Sequence, residues 1–232
     1  MTAGPIKVLA FDTFGTVTDW HTGVSGVLAG VFPELDSSEL ARAWRRRYPP
    51  AMAEVEAGER PWTLLDDLQR ETLVDVLAEA YDVVATDQQL DEAVHAWHVI
   101  PAWPDVSDAL RRLKQKYTIC ALSNGNVALL NEMAKASDLP WDVIGGSDLW
   151  RHYKPARETY LGIVDLLQVQ PHEAMMVATH ATDLAAARGF GLQTAYVERP
   201  REWGPETKVA EPSGLNAFNV GGIDELATAL GC

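Results

Sequence analysis

The chain predicts an α/β fold, a doubly wound parallel sheet with a helical insertion, from three features of its 232 residues. A compact apolar run at residues 6–11 ends on Asp12 and the turn Gly15-Thr16, as a buried strand would. Residues 18–98 then carry helical periodicity with no strand signal. Beyond Pro101 and Pro104, short apolar runs alternate with helical stretches, the pattern of parallel strands covered by helices on both faces.

Each element follows in order. After the first strand, helices are expected near 24–31, 37–52, 63–81 and 87–97. The second has Ser37 or Ser38 placed to cap its free amides. In the third, Leu64, Leu65, Leu68, Leu73, Val76 and Leu77 recur near helical spacing. Strands are expected at 117–122, 174–177 and 194–197, with shorter ones at 142–144 and 219–220. Helices at 106–114, 126–137, 156–167, 183–189 and 224–230 separate them. The first strand therefore belongs with the second half. Residues 1–17 and 99–232 are expected to form the α/β core, and residues 18–98 a helical cap.

Composition bounds the function. At 47% hydrophobic the chain suits a packed globular protein. No apolar run approaches the roughly 20 residues that cross a bilayer, so no membrane partner is expected. Residues 1–7 lack the apolar stretch and cleavage site of a secretory leader, which predicts a cytoplasmic protein. The two cysteines, Cys120 in an apolar run and Cys232 at the end, read as core packing and a free thiol. A formal net charge of -14 argues against nucleic acid. It also repels anionic substrates at long range, so local cations must collect them.

In an open parallel sheet ligands bind beyond the carboxyl ends of the strands. Four segments there carry candidate chemistry: Phe11 to Thr16, Leu122-Ser123-Asn124-Gly125, Tyr153-Lys154-Pro155, and Thr179 to Asp183. Taken singly they have bland readings. Asp12 could cap a turn, Ser-Asn-Gly is a common turn, Lys154 could be a surface lysine, and Asp183 could cap the following helix. An ordinary aspartate is ionised at neutral pH and can attack carbon or phosphorus to form an ester.

Together, in this order and spacing, the four segments resemble the motifs of the haloacid dehalogenase superfamily, over essentially the whole chain. The resemblance implies that Asp12 is the nucleophile. Phosphatases of the superfamily place a second Asp two residues on, beside a magnesium site, and a second acid in the fourth motif. Here those positions offer Phe14 and, between Thr179 and Asp183, a single acid. Magnesium prefers oxygen ligands and phosphoryl transfer leans on it, so attack on carbon is favoured, with no metal or organic cofactor expected.

The 2-haloacid dehalogenases carry an aromatic at position 14, usually Tyr, and an Arg after Trp in the second cap helix. Trp44-Arg45 is similar. Trp44 with Leu40 and Tyr48 marks a buried stripe that Arg45 flanks. Helix residues turn by about 100°, so Arg45, Arg46 and Arg47 cannot share one direction. The resemblance implies that Arg45 binds the substrate carboxylate and assists halide departure, with Arg42 as fallback. It also implies that Ser123 bonds the Asp12 carboxylate and that Asn124 donates to the leaving halide. Lys154 then holds Asp12 ionised, Tyr160 lies near that lysine, and Thr13 and Phe14 line the substrate site. The chain departs from the pattern at Ala178 and His180, where relatives place Ser and Asn. His180 could activate water if its pKa lies near neutrality, or it could cap the next helix. Asp183 is a second candidate base or an orienter of Lys154, and Thr16 helps place the water.

The expected reaction is hydrolysis of short 2-haloalkanoates to 2-hydroxy acids through an aspartyl ester, with the halogenated carboxylate and water as the only small-molecule partners. The combination of Phe14, Asn124-Gly125-Asn126 and His180 resembles a subgroup that includes enzymes acting on fluoroacetate. A magnesium phosphatase and a non-catalytic binder of small acids are the rival readings. His21, His95, His98, His152 and His172 show no ligand spacing. Monomer and homodimer both stay open.

Overall fold

The structure is a computed structural model that describes residues 5–205 and 212–232. Residues 1–4, part of the stretch read for a leader, lie outside them. One six-stranded sheet, ordered β3-β2-β1-β4-β5-β6, organises the molecule. Its strands are β1 (Val8–Phe11), β2 (Thr118–Leu122), β3 (Val143–Gly145), β4 (Ala174–Ala178), β5 (Gln193–Val197) and β6 (Phe218–Val220). Every pairing is parallel.

β1 and β4 are buried along their whole length, as parallel strands covered on both faces must be. Their side chains alternate between faces. Leu9, Phe11, Met175 and Val177 join one apolar cluster, while Val8, Ala10, Met176 and Ala178 join the other. The covering helices of this part are α5 (Ser107–Lys114), α6 (Val127–Ala136), α7 (Arg157–Leu166), α8 (Ala181–Gly189) and α9 (Ile223–Ala229), numbered after the four of the insertion.

Those four are α1 (Trp20–Val31), α2 (Ser37–Glu56), α3 (Leu65–Tyr81) and α4 (Asp87–His95), followed by a 3-10 turn at Ala96–His98. Three boundaries differ from expectation. α1 starts at Trp20, where the Asp19 carboxylate accepts from the Thr22 amide. α2 is capped by Asp36, which accepts from the Ser38 and Glu39 amides, so neither predicted serine caps it. α2 also continues to Glu56 through Pro49 and Pro50. Proline removes the amide donor, but Tyr48, Ala51 and Met52 are buried and hold the helix by packing.

An aromatic nucleus joins the insertion to the base of β1. The fully buried Trp97 stacks on Trp20 at 5.9 Å and meets Phe14, Trp44 and Tyr48 edge-on at 5.4–5.7 Å. The chain leaves and re-enters the sheet side by side, because Thr18 bridges to both Phe14 and Ala102. Among the described residues no helix is long and apolar enough to cross a membrane.

Candidate active site

β1 and β4 end next to each other, and the β3–α7 connection carries Lys154 towards them. Asp12, Lys154, Asp183, His180, Asn124 and Tyr160 from this side meet Arg45, Tyr48, Pro49 and Met52 of α2 around a cleft of about 270 Å³. Phe14 and Thr182 complete the wall.

The Asp12 carboxylate is held at both oxygens. Lys154 Nζ donates to Oδ1 at 2.9 Å. Oδ2 accepts from Thr16 Oγ1 at 2.8 Å and lies 3.0 Å from His180 Nδ1. The Thr16 hydroxyl in turn accepts from the Thr179 amide. Burial alone would raise the Asp12 carboxyl, but Lys154 and His180 hold it well below the usual carboxylate range. Lys154 also donates to Asp183 Oδ2 at 2.5 Å, and Tyr160 donates to Asp183 Oδ1 at 2.7 Å. Burial, then the charge of Asp12, push Asp183 up. Burial opposes the Lys154 charge, yet the two carboxylates raise its pKa overall.

His180 bridges two acids, because its Nε2 lies 2.9 Å from Oε1 of Glu202. Burial would lower this histidine, but the hydrogen bonds and charges of Asp12 and Glu202 push it up to about 10. Paired with both acids it favours the imidazolium form, so the near-neutral condition set for a base role is not met while Asp12 keeps its charge. Glu202 is buried, also accepts from Trp20 Nε1, and is lowered against its own burial by His180 and Arg45.

The arginine run separates as helical geometry requires. Arg45 reaches the cleft, its guanidinium 4.5 Å from the Tyr48 ring centroid and flanked by Trp20 and Trp203. Its Nε is buried without a partner, and no carboxylate among the described residues pairs with it. Arg46 lies over Trp203 and Arg47 pairs with Glu79. Arg42, the fallback, is bound by Glu39, His21 and the Trp203 carbonyl.

Several expectations need correcting. Ser123 does not bond Asp12; its hydroxyl pairs with Thr13 Oγ1 at 2.6 Å and accepts from the Gly125 amide. Neither Thr13 nor Ser123 lines the cleft, because each satisfies the other. Tyr160 does line it near Lys154, as expected, and its hydroxyl donates to the Asp183 carboxylate that Lys154 also binds. Asp183 caps no helix: α8 begins after His180, and both Asp183 oxygens are engaged. Asn124 Oδ1 accepts from the Lys154 amide at 2.7 Å. That bond fixes the side chain with its amide nitrogen free among the described residues. Sequence reasoning missed Glu202. Its signal lay in the segment after β5, another strand end beyond which ligands gather, and in Gly15. Gly15 has φ +88°, and a Cβ there would come within 2.4 Å of the Glu202 carboxylate.

Away from the cleft, His95 and His98 converge on Glu132 of α6, a grouping the sequence spacing did not suggest. His98 spends one ring nitrogen on Glu132 at 2.7 Å and the other on Asp66 at 3.2 Å. Burial opposes its charge, but these acids raise its pKa overall. The grouping tethers the helical insertion to α6.

The donor set does not suit magnesium. Phe14 offers a hydrocarbon ring where a ligand would stand, Asp183 is taken by Lys154 and Tyr160, and Glu202 by His180 and Trp20. What remains is a charged cleft at the carboxyl ends of a doubly wound sheet, and the class it defines is a hydrolase that draws its cations from side chains.

The chain belongs to the haloacid dehalogenase-like hydrolase family, whose model matches residues 6–191. It is 30% identical over 200 residues to (S)-2-haloacid dehalogenase 4A of Burkholderia cepacia, covering 84% of each chain. It is 28% identical over 212 residues to (S)-2-haloacid dehalogenase 1 of Pseudomonas sp. strain CBS-3, covering 86% of this chain and 88% of that one. The crystal structure of a defluorinating L-2-haloacid dehalogenase superposes with a TM-score of 0.93 at 40% identity, covering 98% and 96% of the two chains.

Proposed function

We propose that this protein hydrolyses short 2-haloalkanoic acids to 2-hydroxy acids, with residues 18–98 as a cap closing over a core of 1–17 and 99–232. The cytoplasm is its proposed location. One observation carries the reading: Arg45, whose buried Nε has no partner and which forms no ion pair among the described residues, shares a small cleft with Asp12, a carboxylate held ionised. An anionic substrate supplies the missing charge. The named relatives act on molecules of this class.

Arg45 takes the substrate carboxylate, and Asp12 attacks carbon two in line as the carbon–halogen bond breaks. An ester forms and halide leaves, with Asn124 placed to donate to it. Esterification removes the Asp12 charge that helped to hold His180 protonated. His180 then yields its proton to solvent and becomes a base beside the ester carbonyl, its Nε2–H held by Glu202. Water attacks that carbonyl as His180 takes a proton, giving the hydroxy acid and the Asp12 carboxylate. Asp183, with both oxygens occupied, orients Lys154 instead.

Halide release from chloroacetate and from each enantiomer of 2-chloropropionate, without added divalent ion, tests the reading. Asp12→Ala should release none. A single turnover in heavy-oxygen water should label Asp12 and not the product. Inertness towards all these acids, with dephosphorylation once magnesium is added, would reject it. The narrow cleft and the defluorinating structural relative favour fluoroacetate as a further substrate, which fluoride release above the Asp12→Ala control decides.

A further inference from the structure

The buried side-chain polar atoms without a partner belong to five residues among those described: Arg45, Tyr48, Gln69, Trp97 and Asn126. Only Arg45 and Tyr48 line the cleft. A buried donor left unmade costs about 1–3 kcal/mol, so such groups in a cleft point to something that binds there. Tyr48 is 2% exposed and its ring lies under the Arg45 guanidinium. Burial pushes its phenol up, and the charges of Asp12 and Glu202 push further against that of Arg45. The hydroxyl thus stays protonated across the working range and lies within reach of the Asp12 field. It can serve as a donor without becoming a competing nucleophile.

We infer that Tyr48 is a catalytic residue, its hydroxyl donating a hydrogen bond to the halide as it leaves. The inference rests on the dehalogenase reading. In-line attack by Asp12 drives the leaving group to the side of the carbon opposite the Asp12 carboxylate, within a cleft one wall of which α2 supplies. That wall consists of Arg45, Tyr48, Pro49 and Met52. Pro49 and Met52 have no side-chain donor, so with Arg45 on the substrate carboxylate, the Tyr48 hydroxyl is the donor of that wall left to act beside Asn124. As the carbon–halogen bond breaks, both bonding electrons go to the halogen, and the Tyr48 O–H strengthens its bond to the anion without giving up the proton. Fluoride is the smallest and most strongly solvated halide, so it gains most from such a donor.

The test is Tyr48→Phe, which keeps the ring beneath Arg45. Single-turnover halide release should be followed across fluoro-, chloro-, bromo- and iodoacetate, over those halides that wild type releases. The expected loss is roughly 10- to 100-fold for the smallest of them. It should shrink steadily towards iodide, with KM moving little because Arg45 still holds the carboxylate. Equal rates for variant and wild type would overturn the inference. So would a uniform loss across halides with KM raised, which would make Tyr48 a carboxylate ligand or a packing residue. Wild type inert towards every haloacetate would instead sink the dehalogenase reading itself, and this inference with it. The packing role is checked separately by thermal melting, since loss of fold would not follow the leaving group.

Discussion

The two walls of the cleft differ in how completely their polar groups are satisfied. On the strand side, Asp12, Lys154, Asp183, Tyr160 and Thr16 close a network in which both oxygens of each aspartate are bound. On the helical side, Arg45 Nε and the Tyr48 hydroxyl are buried with nothing to bond. A closed network holds a charge in one geometry, as a nucleophile requires. Open donors lower stability until a ligand fills them, as a substrate wall requires. On the proposed reading, the difference matches attack from the core and recognition by the insertion. His180 belongs to the strand side, yet of its two acid partners only Asp12 would lose its charge on esterification.

The largest effect should come from separating those steps. His180→Phe keeps a ring in the wall but removes the group that can take a proton. Chloride release should then stop after one equivalent per enzyme. Intact mass should show a carboxymethyl group retained, with ester hydrolysis slowed by about 10²–10⁴-fold. Continued turnover near the wild-type rate would place the base elsewhere and blur the distinction between His180 and the closed network around it.

On the helical wall, Arg45→Lys keeps the charge but loses the planar fork that meets a carboxylate with two parallel bonds. KM for chloroacetate should rise by about 10- to 100-fold, measured by steady-state halide release, while the one-equivalent burst survives at saturation. A fall in the burst with KM unchanged would mean that Arg45 acts on the leaving halide instead, and that recognition lies elsewhere in the cleft.

The strand-side groups were legible because a parallel sheet brings its strand ends together whatever the loops do. Asp12, Thr16, Lys154, His180 and Asp183 are separated in sequence and adjacent in space for that reason. Arg45 was separable from Arg46 and Arg47 because a helix fixes angles. Ser123 was misplaced because its hydroxyl, which accepts from the Gly125 amide, pairs with Thr13 Oγ1 across the strand ends instead of with the aspartate. Glu202 was illegible because an acid in Pro-Arg-Glu-Trp looks solvated. Only the approach to Gly15 and His180 buries it. The Tyr48 ring was read correctly as core, but whether its hydroxyl found a partner is a tertiary fact that spacing does not carry. Likewise the second helix, expected to residue 52 through both prolines, is carried one turn further to Glu56 by the structure.

The smallest effect should come from Glu202, which touches the base rather than the reacting atoms. In the resting enzyme two acids hold His180 up to about 10; in the ester only Glu202 keeps its charge. Hydrolysis needs neutral His180, so its rate should rise with pH through the His180 pKa of that state. Glu202→Gln removes the remaining charge while its amide oxygen still accepts from Nε2–H. The rising limb of single-turnover ester hydrolysis should therefore move to lower pH, with the plateau reduced by about tenfold or less. The same histidine links folding to pH. Its raised pKa contributes stability that is complete below about 6.5, its unfolded value, and is lost as pH rises through about 10. In Glu202→Gln that loss should be smaller and complete at lower pH, visible as an alkaline decline in Tm that is shallower and levels off earlier. A limb that stays in place would mean that Glu202 only anchors Trp20, and that the base feels no second acid.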